Sequence, residues 1–479
     1  MFANCYKGRR VFITGHTGFK GSWLAAWLSQ MGATVCGFAD CVPTSPSHFE
    51  AMHLEQHVQD MRGDIRDRDA VVRAMKEFRP DVVFHLAAQA LVRKSYEDAP
   101  LTFEANMLGT LNMLEAVRQC PSVEAAVFIT SDKCYRNDEW VWGYRETDHL
   151  GGDDPYSASK GCAEIIAHSY FKSFFKDGPA CATVRAGNVI GGGDWAADRI
   201  VPDCARAWAA GQAVQIRSPW ATRPWQLVLE PLSGYLWLGA HLLGARKGPF
   251  ETRGEAYNFG PAANVNNTVA EVVEALALHW PGFRSEMDKA GQAGMKECTL
   301  LKLCCDKALA HLGWKATLTF EETIRFTAEW YHRFYRGDGA KQGSMLDFSL
   351  GQIAAYVNAA EQREQLWTKL GRPPGLPGGS AVQKGHPHGT FRTSVPGHGH
   401  RRCQLPAPEG HHYPRRPGDA HAAPRLSPAP PRRDGGRGTA SGRGLFLRGP
   451  ARGHQGLETP PPPDPVLHRA PRPAETRAL

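Results

Sequence analysis

The feature that most restricts this chain is an alternation between two hydrophobic periods. Arg10-Val11-Phe12-Ile13-Thr14-Gly15 is a short β-rich run that ends at a glycine. From Phe19 to Met31 the apolar residues Trp23, Leu24, Trp27, Leu28 and Met31 recur at helical spacing, with Gly32 as a stop. The cycle repeats with a strand over Ala33–Phe38, a helix over Arg68–Phe78 and a strand over Asp81–Leu86. A long helix over Pro100–Cys120, a strand over Ala125–Thr130, a helix over Tyr156–Lys176 and a strand over Cys181–Ala186 follow. Strands that take turns with helices predict a parallel sheet covered on both faces. Beyond Asn188 the alternation loosens into Gly191-Gly192-Gly193 and the Pro-rich turns between Pro219 and Pro231, which predicts a smaller α-rich lobe. Helices over Thr319–Arg336 and Leu350–Trp367 close it.

Composition matters here because it is uneven. Of 35 Pro, 21 lie in the 109 residues from Gly371 to Leu479, and that segment carries a net +11 against +8 for the whole chain. Residues 1–370 are therefore mildly acidic, at −3, and the basic pI near 8.9 belongs to the tail. An overall basic balance ordinarily points to nucleic acid or an anionic membrane; for residues 1–370 neither is expected. Few aliphatics and no periodicity predict a disordered tail over 371–479. The 12 Cys show no CxxC or Cys/His zinc spacing, so no metal is expected. No charged-then-apolar leader opens the chain and no apolar run reaches the ~18 residues of a membrane span. The expectation is a cytoplasmic protein with reduced thiols.

Gly15-His16-Thr17-Gly18-Phe19-Lys20-Gly21 stands directly between the first strand and the first helix. Glycine there permits positive φ and close approach of backbone to a pyrophosphate, while the helix aims its N–H groups and dipole at the anion. The turn, with Gly15, Thr17, Gly18, Phe19 and Gly21, is read as a dinucleotide cradle. The carboxylate expected near the end of the second strand for the adenosine ribose is poorly placed: Asp40 is one candidate.

Tyr156-Ser157-Ala158-Ser159-Lys160 puts a phenol and an ammonium four residues apart on one helical face. A nearby ammonium favours phenolate, so Tyr156 is expected to titrate closer to working pH and to serve as a general base. Ser131-Asp132-Lys133 follows the strand that ends Ile129-Thr130, and carboxyl ends of strands are where an open α/β sheet presents groups to its ligand.

The glycine spacing, the later Tyr/Lys pair and their order resemble the extended short-chain dehydrogenase/reductase family, over about Arg9 to Trp367. That resemblance implies a Rossmann-type doubly wound parallel sheet and bound NAD. It implies that Asp64-Ile65, in Gly63-Asp64-Ile65-Arg66-Asp67, contacts the adenine and that Ala87, Ala88 and Gln89 pack against the cofactor. It also makes Ser131 the third member of a Ser/Tyr/Lys set. Asp132 fits the acid that a nucleotide-sugar 4,6-dehydratase needs to expel a hydroxyl, a step that epimerases omit. Lys133 replaces the usual Glu, as in the family's CDP-glucose branch, and either removes the C5 proton or positions another base. Arg185 to Trp195 is similar to the family's substrate-side segment, with Asn188 near the nucleotide phosphates; Arg199 follows it. Arg217-Ser218-Pro219 and Arg223-Pro224-Trp225-Gln226 to Pro231 resemble the CDP-glucose branch, with Arg223 as the diphosphate partner, although Leu227 stands where that branch usually has His. The implied substrate is CDP-D-glucose and the implied assembly a homodimer or homotetramer. The division expected is a dinucleotide-binding domain over 1–187, a nucleotide-sugar lobe over 188–370 with segments returning to the first domain, and the tail over 371–479. A 4-epimerase, a dehydratase of another nucleotide sugar and a non-catalytic dinucleotide sensor are the alternatives.

Overall fold

The structure is a computed structural model, and it describes residues 1–246, 248–280, 283–287, 300–336 and 343–369. The tail over 371–479 and its expected disorder lie outside the described residues.

In chain order the first half runs β1 (Arg10–Thr14), α1 (Phe19–Gln30), β2 (Thr34–Ala39), α2 (His48–Ala51), β3 (Gln59–Arg62), α3 (Arg68–Phe78) and β4 (Val82–His85). Then come α4 (Val92–Glu97), α5 (Ala99–Phe103), α6 (Gly109–Arg118), β5 (Ala125–Ile129), α7 (Pro155–Ser173) and β6 (Ala180–Arg185). The second half holds β7 (Val189–Ile190), α8 (Ile200–Ala209), β8 (Val214–Ile216), β9 (Thr222–Arg223), β10 (Gln226–Leu227) and α9 (Leu229–Leu242). It closes with β11 (Ala256–Asn258), β12 (Asn267–Thr268), α10 (Val269–Ala277), β13 (Ser285–Met287), α11 (Asp306–Leu312), α12 (Phe320–Arg336) and α13 (Met345–Gln362).

The main sheet has seven strands in the order β11-β6-β5-β4-β1-β2-β3, all parallel. The order reverses between β1 and β4, which opens a crevice at their carboxyl ends. Alternate residues of each strand enter different cores: Val11 and Ile13 join the side covered by α1 and α9, while Phe12 joins the side covered by α3, α6 and α7. Burial on both faces is why these strands read as continuous apolar runs.

The expected helix over Pro100–Cys120 is three pieces, α5, a π-helical turn over Glu104–Leu108, and α6. The last long helix begins at Met345, earlier than the expected Leu350, because Ser344 and Asp347 form a reciprocal capping box. β11 returns from the second half to the sheet edge beside β6. Leu227 is buried in the core and pairs with Ile190, so this position serves packing. The C-terminal helices brace the first half. A Cβ on Gly192 would stand 2.0 Å from the Trp330 ring. Trp23 Nε1 donates to the Gly192 carbonyl at 2.9 Å, and His48 Nε2 lies 3.3 Å from Ser349 Oγ.

Candidate active site

The crevice is floored by the glycine turn. Gly15 has φ +73°, and a Cβ there would stand 2.9 Å from the Ala87 backbone. Thr14 Oγ1 fixes that approach by accepting from the N–H groups of Leu86 and Ala87, both at 3.1 Å. A Cβ on Gly21 would meet the Gly15 carbonyl oxygen at 2.1 Å, so helix and turn touch only because position 21 is glycine. Gly18 is different: a Cβ there meets nothing closer than 3.4 Å. Packing does not demand glycine at 18, whereas close approach of a pyrophosphate would. Gly18 caps α1 without any side-chain hydrogen bond, which leaves first-turn amides of the helix for an anion. These residues fit a dinucleotide pyrophosphate. Thr17 is buried and donates its hydroxyl to the Cys41 carbonyl at 2.7 Å, so its side chain holds the turn to the loop after β2.

The catalytic candidates converge at the carboxyl end of β5. Ser131, Asp132, Tyr156 and Lys160 are all at least nine-tenths buried. Ser131 Oγ donates to Asp132 Oδ1 at 2.8 Å and lies within hydrogen-bonding reach of the Tyr156 hydroxyl. The other Asp132 oxygen packs on Gly187, where a Cβ would come within 2.0 Å. Asp154 starts α7 by accepting from Ser157 N at 2.9 Å, which sets Tyr156 in the first turn and Lys160 one turn on. Burial pushes the Tyr156 phenol up to about 12, with the neighbouring Ser131 hydroxyl opposing the rise, and burial pulls the Lys160 ammonium down to about 8. The expected lowering of Tyr156 toward working pH by Lys160 is not met: burial and the Asp132 carboxylate oppose the phenolate, and the cation that favours it is Arg199. Lys133 is half-buried on the same short helical turn as Asp132.

Three participants escaped the sequence. Asn106 sits in the π-helical turn; its Nδ2 donates to the Gln89 carbonyl at 3.0 Å and to Ser159 Oγ at 2.9 Å, tying the cofactor-side loop to α7. A π-turn is a common mark of a functional site, but no 3.6-residue pattern announces it. Glu164, two turns after Tyr156, is buried against Arg185 with Nη2 to Oε2 at 2.8 Å. Arg185, which opens the segment read as substrate-facing, is therefore a structural ion-pair partner. Lys20 is the third: its half-buried ammonium lies within electrostatic reach of Arg199, Asp132, Lys160 and Asp194.

The remaining candidates lie around this centre. Asp64 accepts a two-pronged grip from Arg66, at 2.6 and 2.9 Å on Oδ2, and Ile65 is buried beneath Gly109. Asp40 is exposed and accepts from Cys41 N. Ala87 and Ala88 are half-buried, and the Gln89 side chain is engaged by Leu91 and Thr102. Asn188 has φ +34° and its carbonyl accepts from Gln226 N. Arg199 pairs with Asp194 at 2.8 Å. Arg217 pairs with Asp198 at 2.7 Å, and Asp198 also holds Arg93 at 3.0 Å. Arg223 is buried, with Nη1 donating to the Thr222 carbonyl at 2.8 Å.

Sheet order, glycine turn and the Ser/Tyr/Lys cluster together define a nicotinamide-dinucleotide enzyme of the short-chain dehydrogenase/reductase type. The sequence profile of the GDP-mannose 4,6 dehydratase family matches residues 12–229. CDP-glucose 4,6-dehydratase of Salmonella typhimurium is 46% identical over 362 residues, which cover 74% of this chain and 98% of that protein. dTDP-glucose 4,6-dehydratase of Xanthomonas campestris pv. campestris is 26% identical over 338 residues, covering 67% and 92%. The NAD complex of UDP-glucose 4-epimerase from Thermus thermophilus superposes with a TM-score of 0.55 at 29% identity, over 69% of this chain and 99% of that one. The chain belongs to the NAD-dependent nucleotide-sugar dehydratases of the extended short-chain dehydrogenase/reductase family. Among the described residues no helix is long and apolar enough to cross a membrane, and no group of His, Cys, Asp and Glu could hold a metal ion.

Proposed function

We propose that this protein converts CDP-D-glucose to CDP-4-dehydro-6-deoxy-D-glucose and water. The observation that carries the proposal is the burial of Ser131, Asp132, Tyr156 and Lys160 around one strand end, in a chain 46% identical to a CDP-glucose 4,6-dehydratase. Bound NAD supplies the hydride acceptor at C4 and the hydride donor at C6, so no net redox occurs. The turn from Gly15 to Gly21 and Ala87 would hold the cofactor, with Ala88, Gln89 and Asp64-Ile65 along its length. Tyr156 Oη removes the 4-hydroxyl proton, and Ser131 Oγ orients that hydroxyl. Lys160, one helical turn on from Tyr156, supplies positive charge that favours the phenolate. A 4-keto sugar has an acidified C5–H; Lys133, or a base it positions, takes that proton while Asp132 protonates the departing C6 hydroxyl. Asn188, Arg199, Arg217 and Arg223 bind the nucleotide diphosphate, where guanidinium forks suit phosphate oxygens.

Exposed apolar side chains at Leu108, on the π-helical turn, and Ile165, on α7, support assembly as a homodimer or homotetramer through these helices. The free state of every described cysteine supports work in a reducing cytoplasm.

The test is a panel of CDP-, dTDP-, UDP- and GDP-sugars, read by the alkali-induced ultraviolet band of a 4-keto-6-deoxy product. CDP-glucose should dominate, and Tyr156→Phe should lower its turnover about 10³-fold while leaving bound NAD in place. Interconversion of UDP-glucose and UDP-galactose alone would refute the dehydratase reading.

A further inference from the structure

We propose that Glu164 and Arg185 are positioning residues for the reaction: their buried pair fixes both ends of the segment that carries Ser131, Asp132 and Lys133, and so sets the acid in register with Tyr156. The inference rests on the reading of Ser131, Asp132 and Tyr156 as the reacting side chains. Thr130 and Tyr135 bracket that segment, one directly before Ser131 and the other directly after the short helical turn over Asp132–Cys134. At the front, the Thr130 hydroxyl donates to Glu164 Oε1. At the back, the Tyr135 hydroxyl accepts from Arg185 Nη1 at 2.6 Å and donates to Asn258 Oδ1, on β11, at 2.9 Å. The Arg185 guanidinium also lies over the Tyr135 ring, with Cζ 4.8 Å from its centroid.

Between the two anchors the pair closes on itself. Arg185 Nε donates to Glu164 Oε1 at 2.9 Å and Nη2 to Oε2 at 2.8 Å, a fork that lets guanidinium and carboxylate hold each other in one orientation. Thr130, Tyr135, Glu164 and Arg185 are all more than nine-tenths buried, where such bonds are strong. Glu164 stands on α7, one turn beyond Lys160 and two beyond Tyr156. The helix that carries the base therefore also grips the front of the acid's segment, while β6 grips its back through Arg185. Gly161 lets α7 lie against that segment: a Cβ there would stand 3.4 Å from the Cys134 carbonyl oxygen and 3.0 Å from Gly151 N. A misplacement of about 1 Å between reacting groups can cost about 10²-fold in rate, so anchors that touch no substrate can govern turnover. Thr183 supplies an internal control. Its hydroxyl donates to Glu164 Oε2 at 2.8 Å, but it stands in the interior of β6, outside the 130–135 segment.

The experiment is steady-state turnover of CDP-glucose by the full chain with NAD bound, alongside thermal unfolding of each protein. It uses the wild type, Thr130→Val, Thr130→Ser, Tyr135→Phe and Thr183→Val. None of these breaks the ion pair itself, and Thr130→Val keeps the bond from its N–H to the Val184 carbonyl, 2.9 Å in the wild type. Thr130→Val and Tyr135→Phe should each lower kcat about 10-fold, with KM for CDP-glucose within about twofold. Thr130→Ser keeps the hydroxyl and should recover most of the rate. Thr183→Val removes a bond to the same carboxylate and should lower the melting temperature as Thr130→Val does, yet leave kcat within about twofold. A native kcat in folded Thr130→Val or Tyr135→Phe, no recovery in Thr130→Ser, or an equal fall of kcat in Thr183→Val would overturn the assignment. Native turnover by Tyr156→Phe, or no turnover by the wild type, would instead overturn the reading of the site.

Discussion

Glu164 on α7 and Glu230 at the start of α9 are both almost fully buried, yet the protein treats them differently. In the catalytic floor, Glu164 meets Arg185 in an ion pair and takes further hydrogen bonds from Thr130 and Thr183, so its carboxyl lies below the ordinary range despite burial. Under the C-terminal helices, Glu230 forms no ion pair among the described residues, and the charge of Arg363 offsets its burial only in part. It accepts from Thr317 N at 2.9 Å, Leu318 N at 2.6 Å and the Tyr356 hydroxyl at 2.8 Å, and burial pushes it up to about 7. The floor is therefore held by a charge pair that stays fixed across physiological pH. The outer layer is held by a group that changes charge within it. Rigidity is placed beside Tyr156 and Lys160, and pH sensitivity is kept away from them.

Removing the cation is the harshest way to break this contrast. Arg185→Met leaves Glu164 buried and uncompensated and should cost about 3–5 kcal/mol in denaturant unfolding, whereas Glu164→Leu combined with Arg185→Met should recover most of that loss. A double variant as unstable as the single one would show that the pair does more than neutralise itself.

The second test is smaller and depends on pH. The folded value of Glu230 lies above its unfolded value, so the stability it contributes is complete below about pH 4.5 and is lost as pH rises through about 7. The span corresponds to something on the order of 3 kcal/mol. Glu230→Gln should flatten the stability–pH curve between those limits and leave the mutant the more stable form at pH 8. An unchanged slope would mean that the amide donors of Thr317 and Leu318 keep the carboxylate ionised.

The mildest test concerns the lobe. Asp198 holds Arg93 and Arg217 at a half-exposed site, so Asp198→Asn should change stability by less than about 1 kcal/mol. If Arg217 must leave this acid to meet a phosphate, the same change should lower KM for the sugar nucleotide about threefold with kcat unchanged. A raised KM would show that Asp198 positions Arg217 for binding.

The same contrast explains what could be read from the residues alone. The floor was legible because its chemistry is local: Gly15, Gly18 and Gly21 share one turn, Tyr156 and Lys160 share one helical face, and Ser131-Asp132 directly follows an apolar strand. The parallel sheet followed from the alternation for the same reason. What was missed depends on partners far apart in sequence. Lys20 looks like any helix-start lysine until the strand ends bring Asp132, Lys160 and Arg199 to it. Arg185 looks like a substrate ligand until Glu164 is seen beside it. Asn106 is hidden because a π-turn inserts a residue without altering composition. Arg199 and Arg217 stand in or beside segments that resemble the family's substrate side, but nothing local announces that Asp194 and Asp198 already grip them.

The close fit of Trp330 on Gly192, with Ser349 reaching His48, has a consequence for synthesis. A nascent chain that has released α7 and β6 from the ribosome already carries the Gly15–Gly21 turn, Asp132 and Tyr156, but the aromatic buttress behind Gly192 is still untranslated. A message cut short before α12 would leave Gly192 and His48 without the Trp330 ring and the Ser349 hydroxyl that back them, and the core around α1 without its last layer.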